Sequence, residues 1–350
     1  MKVREWLGTP WDLVARGRAG VYRHGLLTAQ RLRQPTISIG ALEMGGTGKT
    51  PVVAAIAQLL QRAGLRPAVI SRGYARRDRQ PRVVSEGRGL CVDVRSAGDE
   101  PAWYARTLEG VPVAVARRRE EAAELLEQRA LQTDVYLLDD AYQHVRVARD
   151  VNLLVVDAGR PFWEQAPPPG GQLREGSGAA QRADAFVLVS NDGDALQARD
   201  ELARRYPDRP TFVVRSSQPG YWALHAWDPR TSPDAATGLG ASCLAFAGIA
   251  RPQRFFRALE AQDIDVRARR TFADHHWYSD RDLMSLRRTA NSVGAAALVT
   301  TEKDAVRLTR LDQPHTPPIH IWSYRLDLTR PAEFEAWLLP RIAASAGAAQ

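Results

Sequence analysis

The sequence predicts an α/β protein: a parallel sheet sandwiched by helices, then a second, smaller α/β unit, with an amphipathic helix ahead of both. Three observations carry this. A β-branched run at residues 36–40, Thr-Ile-Ser-Ile-Gly, leads through a glycine loop into residues 51–63, which have helical periodicity. Apolar runs at 67–71, 111–116, 135–138, 153–157 and 185–190 then alternate with helical stretches such as 119–130, the rhythm of strands joined by crossover helices. After a stretch rich in Pro, Gly, Ser and Asp at 216–240, strand candidates return at 243–248, 296–300 and 319–322, with helical stretches near 253–261 and 280–291. The expected division is therefore a helix over 1–30, a larger unit over 31–222 and a smaller one over 223–350.

With 350 residues, 44% of them hydrophobic, the chain can bury a large core. Its net charge of +8 favours anionic partners, and its cations are almost all arginine: Lys2, Lys49 and Lys303 are the only lysines. Against that background a lysine retained at position 49 is informative, because a point ammonium differs chemically from a planar guanidinium. Cys91 and Cys243 are too few for a disulfide framework or a zinc site, which fits a reducing compartment. No run approaches the roughly 20 apolar residues that span a bilayer, and the N-terminus lacks the pattern of a signal peptide. The expectation is a cytoplasmic protein. Trp6, Leu7, Trp11, Leu13, Val14, Val21, Tyr22, Leu26 and Leu27 are mixed with Arg4, Arg16, Arg18 and Arg23. That mixture suits a helix lying on anionic lipid, and equally a helix packed on the protein's own core.

The loop Gly45-Gly46-Thr47-Gly48-Lys49-Thr50 joins a strand to a helix, so its backbone N–H groups and the helix dipole can surround an oligophosphate. Lys49 would bridge the β- and γ-phosphates and Thr50 would bind Mg²⁺. The usual phosphate-loop pattern has glycine where this chain has Glu43. Residues 135–140, Val-Tyr-Leu-Leu-Asp-Asp, form an apolar strand ending in two carboxylates, of which Asp139 is the expected metal-side residue. Asp99, in Gly98-Asp99-Glu100-Pro101, could cap a helix or accept a hydroxyl proton, and its position before a helix favours the cap. Asp274-His275-His276 could orient a catalytic acid, cap the following helix or bind metal; adjacent histidines do not share a helical face, which disfavours chelation.

Taken in order, the motifs GGTGKTP (45–51), SRGY (71–74), GDEP (98–101), DDAYQH (139–144), RD (149–150), LRE (173–175), FAGI (246–249), DHH (274–276) and TEKD (301–304) resemble the tetraacyldisaccharide 4'-kinases of lipid A synthesis over nearly the whole chain. Departures from the family pattern stand at Ala41, Glu43 and Ala141-Tyr142. The resemblance implies transfer of the γ-phosphoryl of ATP to the 4'-hydroxyl of an acylated glucosamine disaccharide 1-phosphate, with Mg²⁺. It implies Lys49 at the phosphates, Thr50, Asp139 and Glu100 at the metal, and Asp99 activating the sugar hydroxyl with a His275 partner that raises or relays its basicity. It also implies Arg72, Tyr74, Arg119, Asp140, Gln143, His144 and Arg174 at the disaccharide. Arg119, within Arg117-Arg118-Arg119-Glu120-Glu121, could otherwise be a solvated helix start. A lipid substrate implies a peripheral place on the cytoplasmic face of the inner membrane; no obligate protein partner is inferred. Two other readings remain at this level: a kinase or nucleotide-switch ATPase acting on a soluble partner, and a basic nucleic-acid binder, against which stands the lack of any groove-reading motif.

Overall fold

The computed structural model describes residues 12–14, 17, 20–22, 26–190, 195–231, 242–308 and 316–347. The amphipathic helix expected over 1–30 falls mostly outside the described residues. Of those that are described there, Leu13, Val14, Leu26 and Leu27 are 63, 77, 75 and 51% exposed.

Twelve strands occur among the described residues: β1 (Thr36–Gly40), β2 (Pro67–Ser71), β3 (Arg82–Glu86), β4 (Pro112–Val115), β5 (Val135–Asp139), β6 (Val151–Asp157), β7 (Ala185–Ser190), β8 (Thr211–Ala223), β9 (Ser242–Ala247), β10 (Asp265–Thr271), β11 (Ala297–Thr301) and β12 (Ile319–Leu328). Among the described residues after β1 the α-helices are α1 (Lys49–Arg62), α2 (Val94–Ala97), α3 (Asp99–Thr107), α4 (Arg119–Gln128), α5 (Ala195–Arg205), α6 (Pro252–Glu260), α7 (Asp280–Ser292), α8 (Glu302–Leu308) and α9 (Pro331–Gly347).

All twelve strands join one sheet in the order β3-β4-β2-β5-β1-β6-β7-β8-β12-β11-β9-β10. From β4 to β8 every pair is parallel; β12 runs antiparallel to β8, and β12, β11, β9 and β10 are again mutually parallel. Strand β1 is central and wholly buried because both its neighbours and the helices on both faces cover it, so even its polar Thr36 and Ser38 lie inside. Helix α1 turns Val52, Val53, Ile56, Ala57, Leu59 and Leu60 into the core on one face of the sheet. Its length and lack of interior Gly suit that role.

Three strands escape an apolar-run criterion. Strands β3 and β10 are the two edges, and β10 alternates Val266 and Ala268 with charged residues because only one face is covered. Strand β8 extends through residues 216–223, the start of the stretch expected to be a connection. Its pairing with β12 carries the sheet without interruption across residue 222. The Arg149-Asp150 motif serves the central strand: Thr36 N donates to Asp150 Oδ2 at 2.7 Å, and Arg149 Nη1 donates to the Tyr142 carbonyl at 2.9 Å.

Candidate active site

The phosphate loop leaves β1 and enters α1. Gly45, Gly46 and Gly48 have φ of 76, 70 and 83°, values at which a side chain would strain the backbone. Gly48 is the N-cap of α1 and no side chain caps it, so the first-turn N–H groups suit an anion. Lys49 Nζ lies 3.4 Å from Thr47 Oγ1 and 3.4 Å from Asp140 Oδ1. Thr50 Oγ1 donates to Glu100 Oε1 at 3.4 Å.

Register explains why the acids of β5 meet this loop: Ile39 of β1 pairs with Asp139, so the carboxylate emerges beside the loop's first residues. Asp139 accepts from Ser71 Oγ at 3.0 Å. Burial, with Glu100 and Asp140 adding like charge, pushes its pKa up to about 7. Asp140, in the left-handed region at φ 48°, is also penalised by burial, but Lys49 and Arg174, the latter 2.7 Å away, hold it well below the usual carboxylate range. Crowded carboxylates of this kind fit a divalent cation, since it relieves their mutual repulsion. No cluster of three or more His, Cys, Asp or Glu among the described residues could hold a metal alone. A Mg²⁺ here would therefore rely on phosphate oxygens and water beside Thr50, Asp139 and Glu100, as Mg²⁺ usually does.

Asp99 and His275 meet. His275 Nδ1 lies 2.8 Å from Asp99 Oδ2, and the carboxylate is 5% exposed. The preference for a helix cap is corrected: Gly98 is the N-cap of α3 and Asp99 is its first helical residue, while Asp93 caps α2. Burial opposes the charge on Asp99, but His275, Lys303 and Arg307 outweigh it and lower the pKa to about 2. His275 is conversely raised: burial opposes its charge, but the hydrogen bond to Asp99 together with the charges of Asp99, Asp274 and Glu100 outweighs that penalty. His275 therefore does not make Asp99 more basic: each side chain favours the charged form of the other. His276 parts company with its neighbour. It stacks on Phe272 and points Nε2 at Asp282 (3.2 Å), while Ser279 and Asp282 form the capping box of α7.

Arg307 connects this pair to the TEKD motif. Both its guanidinium and Asp304 are buried, with Nη2 2.5 Å from Asp304 Oδ1 and Nη1 3.6 Å from Asp99 Oδ2. Asp304 also accepts from Gly248 N (3.0 Å), Tyr278 Oη (2.7 Å) and Thr301 Oγ1 (2.6 Å), which ties the FAGI motif to the same network. Lys303 bonds Glu100 Oε1. Sequence reasoning gave Lys303, Asp304 and Arg307 no role. For Lys303 the signal existed: two of only three lysines converge here.

The remaining expected residues are distributed unevenly. Arg72 and Tyr74 are exposed, and the Tyr74 ring lies 5.2 Å from that of His275. Gln143 Nε2 donates to the Ala41 carbonyl at 2.9 Å, and its Oε1 receives Arg174 Nη1 at 3.5 Å. Arg119 is neither a solvated helix start nor open to a substrate: it is 2% exposed and its Nη2 donates to the carbonyls of Asp139 (3.1 Å) and Asp140 (3.5 Å). His144 faces Glu120, Nε2 to Oε2 3.8 Å. The departure at Tyr142 is accommodated by a hydrogen bond from its hydroxyl to the Ala179 carbonyl at 2.8 Å.

Glu43, the other conspicuous departure, is fully buried behind the loop, where burial pushes its pKa up to about 7 despite Arg251 and Lys49. Beyond it Asp157, at the end of β6, accepts from Arg251 (2.9 Å) and Arg254 (3.3 Å), both of which come from the start of α6.

A family model described as tetraacyldisaccharide-1-P 4'-kinase (LpxK) matches residues 5–343. A tetraacyldisaccharide 4'-kinase of Geobacter sulfurreducens is 40% identical over 299 residues, 85% of this chain and 81% of that protein. One from Pelobacter propionicus is 38% identical over 92% of this chain and 87% of its own. Among solved structures, LpxK from Aquifex aeolicus, crystallised in complex with ATP, superposes with a TM-score of 0.76 at 27% identity, covering 97% of this chain and 99% of that one.

Proposed function

The chain belongs to the tetraacyldisaccharide-1-phosphate 4'-kinase family, and on that premise we propose which of its residues carry the reaction. The reaction is ATP-dependent phosphorylation of the 4'-hydroxyl of a tetraacyl glucosamine disaccharide 1-phosphate, with Mg²⁺, giving the bis-phosphorylated lipid A precursor. The observation that carries the residue assignment is the meeting of Asp99 and His275, 176 positions apart, beside a phosphate loop and its acidic strand end.

Backbone N–H groups from Gly45 to Thr50, with Thr47 behind them, cradle the phosphates, and Lys49 neutralises charge on the β- and γ-oxygens. Thr50, Asp139 and Glu100 would hold the Mg²⁺, whose contribution when bound is electrostatic. Asp99 accepts the hydrogen bond of the 4'-hydroxyl and aims its oxygen. In a loose transition state that proton leaves late, after the forming O–P bond has acidified it, so a carboxylate of low basicity is an adequate acceptor. His275, Lys303 and Arg307 keep Asp99 ionised for that task. Arg72, Tyr74, Asp140, Gln143 and Arg174 face the disaccharide and its 1-phosphate; Arg119 and His144 act through the backbone and Glu120 that they touch.

Residues 31–222 and 223–350 work as two units, the first bringing the loop, Asp99 and Asp139 and the second His275 and Lys303. The first residues rest on the anionic cytoplasmic face of the inner membrane; the exposed Leu13, Val14, Leu26 and Leu27 support this, and no helix among the described residues is long and apolar enough to cross a membrane. Incubation with Mg-ATP and a tetraacyl disaccharide 1-phosphate should add the mass of one phosphate to the lipid. Chelation of Mg²⁺ should stop it, and transfer to water-soluble acceptors alone would overturn the reading.

A further inference from the structure

Arg251 reaches the phosphate loop from the segment that follows β9. It precedes Pro252, the first residue of α6, and its stem lies directly over Gly46: a Cβ built on that glycine would sit 2.5 Å from Arg251 Cδ and 2.6 Å from Cγ. Ala250 crowds Gly45 in the same way, at 2.9 Å. The loop therefore needs glycine at these positions partly because another segment covers it. Of the guanidinium's three nitrogens only Nη1 is bonded, to the Gly46 carbonyl (3.4 Å) and Asp157 Oδ2 (2.9 Å). Nε and Nη2 are buried without a hydrogen-bond partner. Buried donors left in this state are rare, and those of a charged group rarer, because each forfeits its hydration. Asp157 Oδ2 is shared with Arg254, so two guanidinium groups draw on one carboxylate at the edge of a loop built for an anion.

We propose that Arg251 is a catalytic residue of the phosphoryl transfer, a guanidinium supplied in cis that contacts the γ-phosphate and the oxygen bridging it to the β-phosphate. Its two unpartnered donors form a planar fork suited to phosphate oxygens, and Nη1 is held by Asp157 so that the fork is aimed before the nucleotide arrives. As the bond between the bridging oxygen and the γ-phosphorus breaks, its electron pair stays on the bridging oxygen of ADP, and the fork stabilises that charge. The proposal rests on the reading of residues 45–50 as the ATP site.

The test compares the full chain with Arg251→Ala, Arg251→Lys and Lys49→Ala, measuring turnover, thermal midpoints and the affinities of ADP and a non-hydrolysable ATP analogue. Arg251→Ala should lower kcat about 10²–10³-fold. It should weaken the analogue while leaving ADP unchanged, and added guanidinium ion should restore part of the rate. Arg251→Lys should recover only a fraction, since an ammonium lacks the fork; if the alanine variant does not fold, this one reads the same ATP-to-ADP ratio. Turnover within about threefold of the parent, or equal weakening of both nucleotides, would show an arginine that merely props the loop and would overturn the proposal. Nucleotide binding that survives Lys49→Ala with unchanged turnover would instead reject the loop itself.

Discussion

Nδ1 of His275 sits 2.8 Å from Oδ2 of Asp99, and each side chain shifts the other toward its charged form. Acting as one unit, they should respond to mutation as one. Asp99→Ala and His275→Ala should each reduce single-turnover rates about 10²–10⁴-fold, and the double variant should lose little more than the worse single. Thermal melts run beside the rates would identify misfolding; fully multiplicative losses in folded variants would mean that the residues act independently.

The direction of the shifts fixes a pH profile. His275 is raised, so its charge is present at and below the ordinary imidazole range and is lost as pH climbs through the raised value. Asp99 is lowered to about 2 and stays ionised throughout the working range. We expect kcat to fall on the alkaline side through deprotonation of His275, and His275→Gln to flatten that limb. An alkaline limb unchanged in the glutamine variant would assign it to another group.

Lys49→Ala should abolish turnover, because it removes the cation at the loop, 3.4 Å from Asp140 Oδ1. Lys303→Met should lower kcat while leaving ATP affinity nearly intact, since Lys303 bonds Glu100 and adds to the charge that holds Asp99 ionised rather than touching the loop. Equilibrium nucleotide binding beside steady-state rates separates the two. Equal loss of ATP affinity in both variants would place Lys303 at the phosphates.

Arg307→Met should destabilise the fold. Arg307 and Asp304 are both buried, and removing one partner leaves the other charge uncompensated, at a cost of about 3–5 kcal/mol. Urea unfolding monitored by tryptophan fluorescence gives the difference; a change under about 1 kcal/mol would mean that the other donors to Asp304 suffice.

Replacing Leu13, Val14, Leu26 and Leu27 by serine should reduce sedimentation with anionic liposomes without weakening ATP binding. Unchanged sedimentation would remove these residues from the membrane surface.

What could be read from the chain divides along physical lines. Strands buried on both faces announce themselves as apolar runs, so β2, β4, β5, β6 and β7 are legible, and β1 by its β-branched residues before the glycine loop, whereas the edge strands β3 and β10 are mostly polar. The phosphate loop is legible because its chemistry is local: glycine torsions, one lysine and a helix start lie within a few residues. Asp99 was legible as a candidate but not in its electrostatics, since the sign of its shift depends on Lys303 and Arg307, some 200 positions away. Arg251 gave no signal among 45 arginines; only its placement over Gly46 distinguishes it.

The antiparallel seam between β8 and β12 has a geometric consequence. In a flat sheet it would send the carboxyl ends of β1, β5 and β6 to one margin and those of β9 and β11 to the opposite margin, far from one another. Six strand-to-strand steps separate β1 from β9, and twisting by about 20–25° at each accumulates about 120–150° of rotation. The curl folds one margin toward the other, so that the residues following β9 can arrive above the loop that follows β1. Strand number between the halves thus works as an angular setting: one strand more or fewer would swing His275 away from Asp99 and Arg251 away from Gly46 by a whole step, with every side chain unchanged.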